Sequence, residues 1–425
     1  MPYFQSMKIK AAIFLFCILF IAFTPSIAKT VFVAVAGNDA ASGTIAGPFA
    51  SIGKAVAVIA PGDSIMIRGG TYVLNTTIRI PASKSGHAGN PVHLFAYQNE
   101  KPVFDFSGMA VSGGNRGFFV LASYWHIYGL DITGAGANGM YVSGSYNRIE
   151  FCVFRENADT GLHLGGGASH NEVLNCDAYY NADPTKENAD GFAAKVSVGS
   201  FNSFTGCRAW QNLDDGWDGY LRPADDVTTT IINCIAYKNG YLKDGSIGEG
   251  DGNGFKLGGS DDKSLRHNMT LINCLAVGNK VKGFDQNNSR GTLILNNCTA
   301  YNNGINYAFW LPLAAGKTAT ITNCIAYGKG NVRLAEFVEQ KNNSWNLDLK
   351  LTDADFLSLD ETALLAPRKP DGSLPDILFL HLAAKSKLVD AGIPVGLPFS
   401  GKAPDLGCFE SDTKAPAKKS KGIKE

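Results

Sequence analysis

One short phrase recurs six times through the middle of this 425-residue chain, and a chain that repeats itself in this way has few ways to fold. The copies are NCDAYYN (Asn175 to Asn181), GCRAWQN (Gly206 to Asn212), NCIAYKN (Asn233 to Asn239), NCLAVGN (Asn273 to Asn279), NCTAYNN (Asn297 to Asn303) and NCIAYGK (Asn323 to Lys329). A weaker copy, FCVFREN, stands at Phe151 to Asn157, and the cysteine-to-cysteine steps are 24, 31, 27, 40, 24 and 26 residues. The intervening residues are short apolar runs between Gly and Asn turns, so the repeat marks a strand solenoid. A single coil cannot bury its own apolar face and must stack on its neighbours. Equivalent residues on adjacent coils then lie one strand spacing apart, about 4.8 Å. The expected fold is all-β, a right-handed parallel β-helix.

The ends of the chain read differently. Lys8 and Lys10 precede an apolar run from Ala11 to Phe23, and Ser26-Ile27-Ala28 follows. Residues 1–28 therefore read as a signal peptide cleaved near Ala28, which makes the protein secreted or periplasmic. The apolar run is short for a membrane span and no later stretch qualifies. Residues 29–90 are expected to form an N-terminal cap and the first coils. Ser51 is placed to cap a helix, and Ile52, Ala55, Val56 and Ile59 share one of its faces. Such a helix would cover the open end of the solenoid. The coils occupy 91–340. Residues 341–412 are expected as a loop-and-helix cover, with one helix near Asp353 to Leu359, and the lysine-rich 413–425 as a disordered tail. Basic and acidic residues balance at 38 each, and losing Lys8 and Lys10 leaves 36 against 38. That balance gives no basic surface for nucleic acid, and a monomer is expected.

Seven of the cysteines fall in the repeat series, six in the same position of the phrase, so they are expected as a buried ladder of free thiols. Cys408 has no evident partner. The asparagine before the cysteine recurs five times and reads as an amide ladder that satisfies buried turn backbone. The seven histidines show no metal-ligand spacing and read as structural.

A second marker, Gly followed by a bulky residue, trails each phrase: Gly161-Leu162, Gly191-Phe192, Gly216-Trp217, Gly254-Phe255 and Gly283-Phe284. The Cys-to-Gly distances of 9, 15, 9, 20 and 9 residues reveal two insertions, both acidic. Insertions on one edge of a solenoid tend to line its binding face. Alignment on the glycines stacks Asp190 on Asp215, with Asp214 beside it, and Asp218 on Lys256. Four converging carboxylates repel one another and hold either protons or a cation, and an all-oxygen set suits Ca²⁺. The plainer alternative is an acidic edge partly neutralised by Lys256. Lys195, Arg222 and Arg290 are weaker candidates for contacting a bound substrate, with solvated surface charge as the alternative. Tyr220 could stack on a sugar, whereas Trp217 is expected to pack inward.

The phrases NADGF, LDDGWDGY and GNGFKLGG, in this order, resemble polysaccharide lyase family nine, the pectate and rhamnogalacturonan lyases. The opening VAVAGNDAASGTIAGPFASIGKAVAVIAPGDSIMIRGGTY and the ending APDLGCFE are similar to it as well. The resemblance covers nearly the whole mature chain. It implies that Asp190, Asp214, Asp215 and Asp218 hold calcium and that Lys256 is the catalytic base. It also implies an acidic plant polysaccharide as partner, either pectate or rhamnogalacturonan I, cut by β-elimination. In such a reaction the cation neutralises the uronate carboxylate while a base removes the C5 proton. Free lysine titrates near 10.4, so an alkaline optimum is expected. Two other readings stay open. A polygalacturonase-type hydrolase would use Asp214 and Asp215 as a carboxylate pair, but its Gly-His-Gly and Arg-x-Lys motifs are missing. A β-helix that only binds glycan is the other.

Overall fold

The computed structural model describes residues 28–347 and 349–411, so the expected signal through Ile27 and the 413–425 tail lie outside the described residues. The strands form three parallel sheets of twelve, ten and ten strands. Thr30–Val33 and Ser64–Ile67 pair with each other in the first sheet, and from there on consecutive strands enter different sheets, each pairing with the equivalent strand one coil on. One such coil runs Arg148–Glu150 in the first sheet, Val153–Arg155 in the third and Leu162–Leu164 in the second. Among the described residues no helix is long and apolar enough to cross a membrane.

The recurring phrase turns the corner between the first and third sheets. Asn175, Asn233, Asn273, Asn297 and Asn323 adopt φ of 50, 52, 52, 52 and 58°, and Gly206 takes the same place with φ 65°. Asparagine tolerates this left-handed region better than most side chains. The expected amide ladder does not sit here. Of these residues Asn323 and Asn297 alone share a side-chain bond, at 3.0 Å among the described residues. The ladder is instead built by the last asparagine of the phrase. Asn157, Asn181, Asn212, Asn239 and Asn279 each pass an Nδ2–H to the Oδ1 of the next, ending at Asn303, at 2.8–3.0 Å. Left-handed backbone at the first position points that side chain outward, whereas the last position faces the buried turn.

Seven cysteines, from Cys152 to Cys324, are buried free thiols stacked coil on coil, and Cys408 is a free, half-buried thiol. Along the second sheet the inward rings stack: Phe192, Trp217, Phe255, Phe284 and Tyr307 follow at centroid spacings of 5.0, 4.8, 5.1 and 5.0 Å. Trp217 thus packs inward.

At the N-terminal end a helix spans Ile52–Val58, with Ser51 Oγ accepting the Lys54 N–H at 3.2 Å. Its buried face of Ile52, Ala55 and Val56, continued by Ile59, lies against Thr30–Val33 and Ile78–Ile80, the end strands of two sheets. At the other end the chain folds back along the third sheet. Phe356, Leu364, Phe379 and Leu388 pack on Ile235, Leu275, Val277 and Ile325. The expected helix over 353–359 is only a 3₁₀ turn at Asp353–Asp355, closed by a capping box with Thr352. Beyond it the backbone is extended, and Phe356 and Ser358 bridge to Leu382 and Phe379. Burying Phe356 on the sheet outweighs local helix propensity.

Candidate active site

The site lies on the outer face of the second sheet. The strands Phe192–Ala194, Trp217–Asp218, Phe255–Lys256 and Lys282–Asp285 pair in register. Strand alternation sends one residue of each pair into the aromatic stack and the next outward. Ala193, Asp218, Lys256 and Asp285 therefore form one outward column. The turn before each strand adds a second column. The Asp215 N–H donates to Asp190 Oδ1 at 3.2 Å, and the Asn253 N–H and Nδ2–H both donate to Asp215 Oδ1 at 2.8 Å. Thr160, one coil earlier, donates to Asp190 Oδ2 at 2.9 Å. The marker glycines allow this stacking. A Cβ on Gly216 would lie 2.6 Å from the Gly254 carbonyl and 2.8 Å from the Asn239 amide.

Asp190, Asp215 and Asp218 each bring a carboxylate oxygen within 4.8 Å of the others, and all three are buried. Asp214 belongs to a second group with Asp215 and Asp251, so Asp215 is shared. No repeat position marks Asp251 in the sequence. It lies in the longer insertion, five residues before Lys256, and its N–H donates to Asp214 Oδ1 at 2.6 Å. The two insertions touch, the Glu249 N–H bonding the Lys186 carbonyl at 2.9 Å.

Two lysines face the aspartates. Lys256 Nζ is 3.1 Å from Asp215 Oδ2 and 2.9 Å from Asp251 Oδ2. Lys195 Nζ is 2.6 Å from Asp190 Oδ2 and 3.1 Å from Asp218 Oδ2. Lys195 is thus a counter-charge within the cluster. Arg222 and Arg290 lie outside it. Arg222 is on the exposed rim, 2.6 Å from Asp261, whose other oxygen takes the Tyr220 hydroxyl at 2.6 Å. Arg290 sits in the turn after Asp285, its backbone tied to Leu265 and Ala314.

Burial sets the electrostatics. It pushes Asp214 up to about 7, with Asp190 and Asp218 adding repulsion. It raises Asp190 against the pull of Lys195, and raises Asp215 strongly with help from Asp214. Burial acts on Asp218 too, but Lys256 and Lys195 outweigh it and hold that carboxyl down at about 2. For Lys256 burial favours the neutral amine, yet Asp215, Asp218, Asp214 and Asp251 outweigh it and hold the proton well above the ordinary lysine range.

One atom bears on a cation. Asp215 Oδ2 is buried and accepts no hydrogen bond, although Lys256 Nζ is within ion-pair distance. A buried carboxylate oxygen with no donor directed at it, among converging carboxylates, fits a hard divalent cation. His267 supports the turn after Asp218: Nδ1–H donates to the Gly219 carbonyl at 2.7 Å, and Nε2 meets Thr229 Oγ1 at 2.8 Å. Burial lowers it to about 4, so it is a neutral structural residue.

Residues 31–343 match the profile of the family described as Pel9A-like, right handed beta helix region. Pectate lyase L of Dickeya dadantii (strain 3937) is 38% identical over 395 residues, covering 89% of this chain and 90% of that protein. Pectate lyase L of Paenibacillus polymyxa (strain SC2) is 40% identical over 361 residues, covering 80% and 79%. Among solved structures, pectate lyase Pel9A superposes with a TM-score of 0.83 at 37% identity, over 91% of this chain and 97% of that one. A rhamnogalacturonan lyase superposes with a TM-score of 0.75 at 30% identity, over 84% and 97%.

Proposed function

The chain belongs to the Pel9A-like right-handed β-helix family and is a polysaccharide lyase, and from that premise we propose that it is an exported, calcium-dependent enzyme cutting galacturonate-containing pectic polymer by β-elimination. The relatives named pectate lyase and the neighbour named rhamnogalacturonan lyase support pectate or rhamnogalacturonan I as substrate. The signal-like segment from Lys8 to Ala28 supports export. The observation that carries the reading is the buried Asp190–Asp215–Asp218 group with Lys256 Nζ 3.1 Å from Asp215.

Asp190, Asp215 and Asp218, with Asp214 beside them, would hold calcium, whose charge would neutralise the uronate carboxylate and weaken the hold of the aspartates on the Lys256 proton. Lys256 takes the C5 proton of the uronate. The electron pair left behind forms the C4–C5 double bond, and the C4–O4 bond breaks with its pair going to O4, which takes a proton from water as the sugar leaves. Asp215 and Asp251 fix the ammonium at the edge of the column. Tyr220, with its ring centroid 5.9 Å from Lys256 Nζ, borders the place where the uronate would lie.

The test is ultraviolet absorbance of the unsaturated uronate product. Wild type and Lys256→Ala are incubated at alkaline pH with polygalacturonate or rhamnogalacturonan I, with calcium or with chelator. A calcium-dependent rise that the folded variant lacks is expected, and the faster polymer names the substrate. New reducing ends without absorbance would replace the lyase with a hydrolase.

A further inference from the structure

The outward column that holds Asp218 and Lys256 continues toward the N-terminal end of the solenoid. From Asp218 it passes Ala193, His163, Tyr141 and Phe119 to Arg79, one residue per coil. Its far end differs in character from the acidic middle. The Arg79 guanidinium lies 4.7 Å from the Phe119 ring centroid. Arg116 enters from the preceding loop and lies 4.7 Å from that same ring and 4.2 Å from Tyr141. The two rings meet edge to face at 5.5 Å.

Two guanidinium groups on one ring repel each other, and an aromatic face offsets only part of that cost. Among the described residues neither arginine is in an ion pair, and Arg116 Nε is buried with no hydrogen-bond partner. The arrangement lacks an anion. Guanidinium forks match a carboxylate in geometry as well as charge, and the rings beneath offer an apolar platform for a sugar. Tyr141 stands four coil rises from Lys256, about 19 Å, too far to touch the bond that breaks. A polymer lying along the solenoid axis reaches both places.

We propose that Arg79 and Arg116, seated on Phe119 and Tyr141, form a distal subsite for a carboxylate of the same uronate polymer, several sugars from the scissile bond. The inference rests on the lyase reading, since that reading supplies the polyanion. A chain long enough to reach the arginines gains affinity, and a short one does not.

Wild type, Arg79→Ala/Arg116→Ala and Arg116→Lys are compared on trimers and decamers of polygalacturonate and of the rhamnogalacturonan I backbone, each variant first shown to keep the wild-type thermal midpoint. For the double variant, KM on the decamer is expected to rise about tenfold with kcat little changed, the loss expected of charge-assisted hydrogen bonds. KM on the trimer should stay the same, and Arg116→Lys should fall between. Calorimetric titration of the decamer in chelator reads the same contact without turnover, and the double variant should bind about tenfold more weakly. Turnover by wild type with equal decamer affinity in all three proteins overturns the subsite and leaves the lyase standing. Arginine-dependent binding without turnover overturns the lyase and keeps the subsite. Wild type that neither cleaves nor binds the decamer of either polymer overturns both.

Discussion

In the proposed reaction Lys256 carries the proton transfer of this chain. Its amine is buried among carboxylates that keep it protonated, and a base must lose that proton. Lys256→Ala should lower the rate about 10²- to 10⁴-fold while circular dichroism stays unchanged. Asp251 gives a finer test because it touches the amine at 2.9 Å from a largely exposed position. Removing its negative charge lowers the lysine pKa, so the amine is free at lower pH. The rising limb of the pH–rate profile of Asp251→Asn should therefore move toward acid, by less than about one unit given solvent screening. A limb that stays in place would separate Asp251 from the base.

At the scale of the element, the site depends on two ladders that hold adjacent coils at one spacing. The aromatic stack beneath the column is the first. Phe255→Ala opens a cavity between Trp217 and Phe284 and should cost about 3–5 kcal/mol in urea unfolding. The asparagine ladder is the second. Asn239 donates to Asn279 and accepts from Asn212, both at 3.0 Å. Its replacement by Ala leaves the buried Asn212 N–H without its acceptor and should cost about 1–3 kcal/mol. Asn239 also lies against Gly216, so this variant should weaken metal affinity as well as stability, measured by calcium titration of the thermal midpoint.

For the whole molecule, the acidic cluster makes stability depend on pH and, under the proposed function, on calcium as well. In chelator Asp214, raised by burial to about 7, and Asp215, also raised strongly by burial, favour the folded chain below their ordinary value. That contribution is lost as pH climbs through about 7. Asp218 has the opposite sign, and its contribution is lost only as pH falls through about 2. The thermal midpoint in chelator is therefore expected to fall between pH 4 and 7 as far as this cluster governs it. Added calcium should restore more of it at pH 7 than at pH 4, because carboxylates that bind metal must be ionised. An equal calcium effect at both values would place the metal elsewhere. The sequence alone determined the solenoid, the stacking of Asp190 on Asp215 and of Asp218 on Lys256, and the inward place of Trp217. A repeat whose coils rise by one hydrogen-bonded step carries its register in residue spacing. Asp251, the separation of Asp214 from the buried triad, and the approach of Arg116 to Tyr141 came from the tertiary structure. So did the ladder position of the asparagines and the extended path after Asp355. Those features sit in insertions, turns and the returning C-terminal segment. There the backbone course is decided by contacts with distant residues, such as Glu249 with Lys186 or Phe356 with Leu382, which spacing along the chain does not encode.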